Sequence, residues 1–233
     1  MNEPIEVGRR ESSVLRISLR TAAIMLAFTL VFTAMMAGTY KATEPLVAAS
    51  ALAEKLRLIG EVLPPAQYDN DLMADAVILP PQAALGLDDE TRLWRARRNG
   101  GPAALVFEAA ARDGYSGRIS LILAVGADGR LLAVRVTGHK ETPGLGDYID
   151  PKKDRNKTRP WITQFNNLGF DGVPRDKWRV KKDGGRFDQM SGATISARAV
   201  TNASGRALAW AVENRDKLFT LPPDSRFEGK ETP

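Results

Sequence analysis

Arg118-Ile-Ser-Leu-Ile-Leu-Ala-Val-Gly-Ala-Asp-Gly-Arg-Leu-Leu-Ala-Val-Arg-Val-Thr-Gly138 consists of two β-rich runs, RISLILAV and LLAVRVTG, on either side of Gly126-Ala127-Asp128-Gly129. The four central residues tolerate positive φ, so the pattern predicts a hairpin. Moving upstream, AALVFEA supplies a third run, and TRLWRAR alternates Leu93 with Arg92 and Arg95 in the manner of a half-exposed strand. Runs this close in sequence predict an antiparallel meander. Downstream, ISARAVTNASGRALAWAVEN from Ile195 to Asn214 repeats Ala199, Asn202/Ala203, Arg206/Ala207 and Trp210 at helical steps. A long helix is expected there despite Gly205. The fold class is therefore α+β: an antiparallel sheet with packed helices.

The flanking segments are simpler. Thr21 to Tyr40 carries no charge, and about twenty apolar residues span a ~30 Å hydrocarbon layer as a helix. Arg9, Arg10, Arg16 and Arg20 precede it, whereas Lys41 is soon offset by Glu44, so the N-terminus is expected in the cytoplasm and the rest in the periplasm. A cleaved signal peptide is the competing reading, opposed by the length of the run and by Met35, Met36, Thr39 and Tyr40 where small residues would mark cleavage. After the span, Leu46, Ala49, Ala53, Leu56, Ile59 (or Leu52) and Leu63 predict an amphipathic helix continuing outward, which Pro64-Pro65 stops. QYDNDLMADAVILPP reads as a turn-rich connection, the basic stretch Pro151–Pro160 as a solvated loop, WITQF as a short helix or strand, and LPPDSRFEGKETP as a polar tail without a fold of its own. The expected organisation is 1–20 cytoplasmic, 21–40 membrane-spanning, 41–90 helix and connection, 91–218 the folded domain and 219–233 the tail.

Of the 233 residues, 43% are hydrophobic and 26% charged, which permits a sizeable core. The formal charge of +5 is local: residues 1–20 supply +1, and Lys152, Lys153, Arg155, Lys157 and Arg159 against Asp154 supply +4. No basic face lies on a regular element, so nucleic acid is not an expected partner. Cysteine is absent and His139 is the lone histidine, which leaves thiolate catalysis, iron–sulfur clusters and ordinary zinc sites without ligands. Redox chemistry, if present, must arrive with a cofactor.

One stretch could hold such a group. Asp188-Gln189-Met190-Ser191-Gly192-Ala193-Thr194 is a loop of small residues entering the last helix. Ser191 and Thr194 are both plausible N-caps, and the free N–H groups of a first turn form an anion site. The residues alone leave two readings open, plain caps or a phosphate cradle. The pattern D-x-x-S-G-A-T-x-S, however, resembles the flavinylation motif of the FMN-binding domains in the Rnf electron-transport complex and the sodium-pumping NADH:quinone reductase. Gly114-Tyr115-Ser116-Gly117, followed by the hairpin and by His139-Lys140-Glu141-Thr142-Pro143-Gly144-Leu145-Gly146, resembles the same domain independently. With the N-terminal span the similarity covers nearly the whole chain and is nearest to the G-subunit family of the Rnf complex.

The resemblance implies FMN esterified through its phosphate to Thr194, with Ser191, Gly192 and Ala193 framing the attachment point. It implies a subunit relaying electrons in a complex that couples ferredoxin and NAD chemistry to ion movement. Expected partners are the other Rnf-type subunits and a flavin transferase, since Thr194 has no His–Asp relay to activate its alcohol. Glu141-Thr142-Pro143-Gly144-Leu145-Gly146 has two readings of its own. It ends a strand in a turn, or it offers Glu141 and Thr142 as polar groups, Gly144 for close backbone approach and Leu145 as an apolar face for the flavin ring. His139 finishes the strand or polarises the flavin, and Asp188 is a solvent-facing turn residue or helps present the loop or a metal. Neither a dinucleotide fingerprint nor a G-x-S-x-G elbow is present. A regulatory flavin-binding protein and a cofactor-free assembly protein are the alternatives in other classes.

Overall fold

The computed structural model describes Gly8–Gly229, and the contacts divide the chain into Met1–Glu54 and Lys55–Pro233. Helix α1 runs Gly8–Val62. Its stretch Val14–Val47 is long and apolar enough to cross a membrane, with a mean hydropathy of 1.9 and nothing buried. The hydroxyls of Thr21, Thr29, Thr39 and Thr43 donate to carbonyls one turn back, at 2.8–3.0 Å. Those four polar groups need neither water nor a partner helix. The span and the amphipathic segment that continues outward from it form a single helix that passes through Pro45.

The second unit is built on five antiparallel strands in the order β1-β2-β3-β4-β5. They are β1 Ala76–Leu79, β2 Thr91–Arg98, β3 Gly101–Gly114, β4 Gly117–Gly126 and β5 Leu131–Gly138. Strands β4 and β5 meet at the expected turn, where the Gly129 N–H donates to the Gly126 carbonyl at 2.9 Å and Gly129 has a φ of +84°. Both faces of the sheet are covered, which is why AALVF and LILAV are continuously apolar rather than alternating. Leu105, Phe107, Leu121 and Leu123 face α2 (Thr194–Thr220), while Val106, Ile122, Ala124 and Trp94 face Ile59 and Val62 from the last turn of α1 and Leu63 just after it.

Three expectations fail here. The connection before Thr91 contains β1, a strand of four residues too short to outweigh the turn formers around it. The tail is not free: the Ile78 N–H donates to the Ser225 carbonyl at 2.9 Å, the Phe227 N–H donates to the Ile78 carbonyl at 2.8 Å, and the Phe227 ring is buried against Trp210. The tail therefore covers the open edge of β1. Arg95, expected on the exposed face of β2, is fully buried. At the other edge the Leu131 N–H donates to the Leu168 carbonyl at 2.8 Å.

Between β5 and α2 the chain has no strand longer than an isolated bridge and is held by aromatic contacts. WITQF forms a 3-10 helix, Trp161–Phe165. Ring centroids follow one another from Tyr148 to Trp161 (5.5 Å), Phe165 (5.3 Å), Phe187 (4.6 Å), Trp178 (5.0 Å) and Phe170 (5.4 Å). This row ends against α2 at Gly205, where a Cβ would lie 2.5 Å from Trp178 Cδ1. Gly205 is therefore tolerated in the helix because the indole occupies the space a side chain would need.

Candidate functional site

The β3–β4 turn, the segment after β5 and the first turn of α2 meet at one recess. It measures about 250 Å³ and is lined by Tyr115, Glu141, Thr142, Leu145, Gly146, Gly192, Ala193, Ile195 and Ser196. The residues on both sides of Thr194 are in that lining. Thr194 itself is half-buried as the first residue of α2, and its hydroxyl makes no hydrogen bond among the described residues.

The N-terminus of α2 corrects one expectation. Neither Ser191 nor Thr194 is the N-cap: Ala193 is, with φ −129° and ψ 39°, and no side chain caps the helix. Ser191 is exposed, and Gly192 takes a φ of +84° with open space where a Cβ would stand. The first-turn N–H groups are left for solvent or an anion. Instead of a cap, the buried Tyr148 hydroxyl holds the loop at two points. It accepts the Met190 N–H at 3.0 Å and donates to the Ala193 carbonyl at 3.3 Å. Burial raises the Tyr148 phenol above its ordinary pKa, an effect partly offset by the Met190 N–H.

Upstream, the loop is fixed through its backbone at Asp188. Trp161 Nε1–H donates to the Asp188 carbonyl at 2.6 Å, and the Asp188 N–H donates to Gln164 Oε1 at 2.8 Å. The Asp188 carboxylate only pairs with Lys181 at 2.5 Å, both side chains being well exposed. The basic loop Pro151–Pro160 is solvent-facing apart from Asp154, whose buried carboxylate accepts the N–H groups of Asn156 and Trp161 at 2.9 and 2.6 Å.

Glu141 is 4% exposed. Its Oε1 accepts the Ser116 N–H at 3.0 Å, its Oε2 accepts the Ser196 hydroxyl, and its own N–H donates to His139 Nδ1 at 3.1 Å. The histidine thus closes the end of the strand. Beyond it the Thr142 carbonyl accepts the N–H groups of Leu145 and Gly146, each at 3.1 Å. Gly144, at φ +75°, completes a turn that leaves Leu145 50% exposed.

The recess therefore gathers Gly192, Ala193, Glu141, Thr142 and Leu145 from the sequence reading, with Thr194, Ser191 and Gly144 adjoining it. It adds Tyr115, Gly146, Ile195 and Ser196, while Met190 lies on the loop before Thr194 and Tyr148 holds that loop. Ser196 and Tyr115 stand inside the two motifs, so the motif pattern was a signal for them. Tyr148 had no local signal, because its role depends on contact with a loop more than forty residues away.

Two family models match the chain: an FMN-binding domain over residues 114–209 and an RnfG N-terminal region over residues 12–62. The chain is 41% identical over 210 residues to a Pseudomonas aeruginosa protein, covering 90% of this chain and 95% of the relative. It is 36% identical over 209 residues to one from Pseudoalteromonas atlantica, with coverage of 90% and 95%. With one from Cronobacter sakazakii it shares 42% over 202 residues, covering 87% and 92%. Each of these relatives is named as the G subunit of an ion-translocating oxidoreductase complex.

Proposed function

Because this chain belongs to the family of G subunits of ion-translocating oxidoreductase complexes, we propose that it is an electron-relay subunit whose Thr194 is esterified to the phosphate of FMN. One observation carries this reading. Outside α1, the exposed large apolar side chains among the described residues are Tyr115, Leu145, Met190 and Ile195. Three of them line the recess beside Thr194, and Met190 lies on the loop that leads to it. Apolar groups gathered in this way on a solvent-facing surface point to a ligand or partner that covers them.

The residues suit a flavin. The recess, about 250 Å³, is smaller than the roughly 300–1,000 Å³ of sites that engulf a ligand. It would admit part of the cofactor and leave an edge accessible to electron partners. Leu145, Tyr115 and Ile195 would pack against the ring system, and Thr142 would offer a hydrogen bond. Gly144 and Gly192 would permit close backbone approach, and Glu141 adjoins them. The small residues Ser191 and Ala193 would let a transferase reach the Thr194 oxygen, and the uncapped first turn of α2 would receive the phosphate. When bound, FMN supplies reversible one- and two-electron chemistry, while this chain supplies orientation and exclusion of solvent.

An external flavin transferase would form the ester, because nothing around Thr194 activates its alcohol. Covalent attachment also removes dependence on free flavin: a micromolar site, worth about 8 kcal/mol, would stand nearly empty at nanomolar concentration. The helix through Thr21–Tyr40 would fix the chain in the inner membrane with the arginine-rich end cytoplasmic and the sheet periplasmic. The assembled complex, with its other subunits, would couple ferredoxin and NAD redox chemistry to ion movement.

The test uses the full chain co-expressed with a flavin transferase and run on a denaturing gel under ultraviolet light. Wild type should give a fluorescent band and Thr194→Val none. A band retained in Thr194→Val moves the attachment elsewhere, and a dark wild type removes the carrier function.

A further inference from the structure

We propose that Glu141 is a positioning residue that holds the walls of the Thr194 recess in their working arrangement before any cofactor arrives, rather than a group that touches the flavin. The inference rests on the reading of Thr194 as the flavin anchor, and it assigns Glu141 a role different from the direct contact expected from the sequence.

The carboxylate is buried, and each of its oxygens already has a donor within the chain. Ser116 N–H, from the β3–β4 turn, occupies Oε1 at 3.0 Å, and the Ser196 hydroxyl, from the first turn of α2, occupies Oε2. Glu141 itself belongs to the segment after β5. One side chain thus ties together the three pieces of chain that form the recess, and Ser196 lies only two residues from Thr194. A shift of Ser196 would move the Thr194 oxygen relative to Leu145.

The neighbouring sequence is shaped around this carboxylate. A Cβ on Gly114 would sit 2.3 Å from the Gly117 carbonyl oxygen and 2.9 Å from Glu141 Oε1, and one on Gly146 would sit 2.9 Å from Oε2 and 2.5 Å from Ser196 Oγ. Two side chains are absent where they would dislodge it. An apolar residue at 141 could fill the volume but could not hold Ser116 and Ser196 in register, and losing either donor leaves a buried acceptor unsatisfied. Binding and attachment then proceed without ordering the walls first, which is the benefit of pre-organisation.

The experiment has two readouts on the full-length protein. In the flavin-free protein, hydrogen exchange at the Ser116 amide should be slow in wild type and at least about tenfold faster in Glu141→Ala, the loss expected for a hydrogen bond to a charged group. In protein co-expressed with the transferase, Glu141→Ala should load flavin roughly tenfold more slowly and show a weakened visible circular dichroism of the bound flavin. Glu141→Gln keeps an acceptor for Ser116 and a partner for Ser196, so it should recover to within about threefold of wild type. If Glu141→Ala does not fold, Ser196→Ala, which removes a single oxygen, is expected to change loading and dichroism in the same direction. Wild-type exchange at Ser116, loading and dichroism in a folded Glu141→Ala or Ser196→Ala protein would overturn the proposal. A wild type without flavin would instead defeat the reading of Thr194, and the Ser116 exchange would still decide the role of Glu141.

Discussion

The two ends of α2 are treated in opposite ways. At the C-terminus the fully buried Arg95 donates to the Leu218 carbonyl at 2.9 Å and to the Leu221 carbonyl, and Arg97 donates to the Phe219 carbonyl at 3.1 Å. Asp75 pairs with both arginines, accepting Arg95 Nε–H at 2.8 Å and Arg97 Nε–H at 2.6 Å. Cations against the last carbonyls of a helix also complement its dipole. At the N-terminus no side chain caps the helix, and Ile195 is 43% exposed. One end is closed by charge and burial, and the other keeps its donors and apolar groups available. The buried ion pairs and the proposed binding site thus lie some forty ångströms apart along one element of 27 residues, at ~1.5 Å per residue.

Breaking the closed end should have the largest effect. Arg95→Met leaves Asp75 with one partner and the Leu218 and Leu221 carbonyls without their donor, and removing one member of a buried ion pair costs about 3–5 kcal/mol. Urea titration should show a fall of that order, and a loss below ~1 kcal/mol would mean that the two ends do not differ in this respect. In the middle, Gly205→Ala opposes two effects. Helix propensity favours alanine by about 1 kcal/mol. The collision with the buried Trp178 ring should cost ~1–3 kcal/mol, so a net destabilisation is expected in the same titration.

Smaller effects sharpen the open end. Tyr148→Phe removes two hydrogen bonds to the Met190–Ala193 loop and should cost about 1–2 kcal/mol. It should also change the alkaline profile. The phenol is raised in the folded state, so wild type loses stability as pH climbs from about 10, where the unfolded chain ionises first. The variant should lack that decline when melting is followed against pH. The smallest effect is expected for Asp183→Asn, which breaks an exposed pair with Arg198 one turn into α2, at 2.5 and 2.8 Å. Hydrogen bonds from Arg198 hold the Asp183 carboxylate below its usual range, so its small contribution is present above about pH 4 and fades as acid protonates it. The wild-type and variant melting curves should converge in acid.

The meander and α2 could be read from the sequence because their signals are local: period-two runs, a Gly-Ala-Asp-Gly turn and helical spacing. What escaped depended on distant partners. Arg95 shares the parity of buried Leu93 in β2, but a buried guanidinium depends on the Leu218 and Leu221 carbonyls more than 120 residues later. The β1 strand exists because Leu93 and Trp94 on one side and Ser225 on the other pair with a segment too short to declare itself. At the recess, small residues and motif spacing identified the loop and the turn after β5. Which of them touch the cavity and which hold it depended on side-chain geometry, as the enclosure of Glu141 shows.

The covered β1 edge of the sheet restricts how other proteins can bind. With Ser225–Phe227 along β1, the Ile78 N–H and carbonyl are already paired, so a foreign strand cannot extend the sheet there without displacing the tail. Recognition at this edge must then proceed through side chains and surface shape, and a chain cut short at Pro222 would expose an adhesive border that favours self-association.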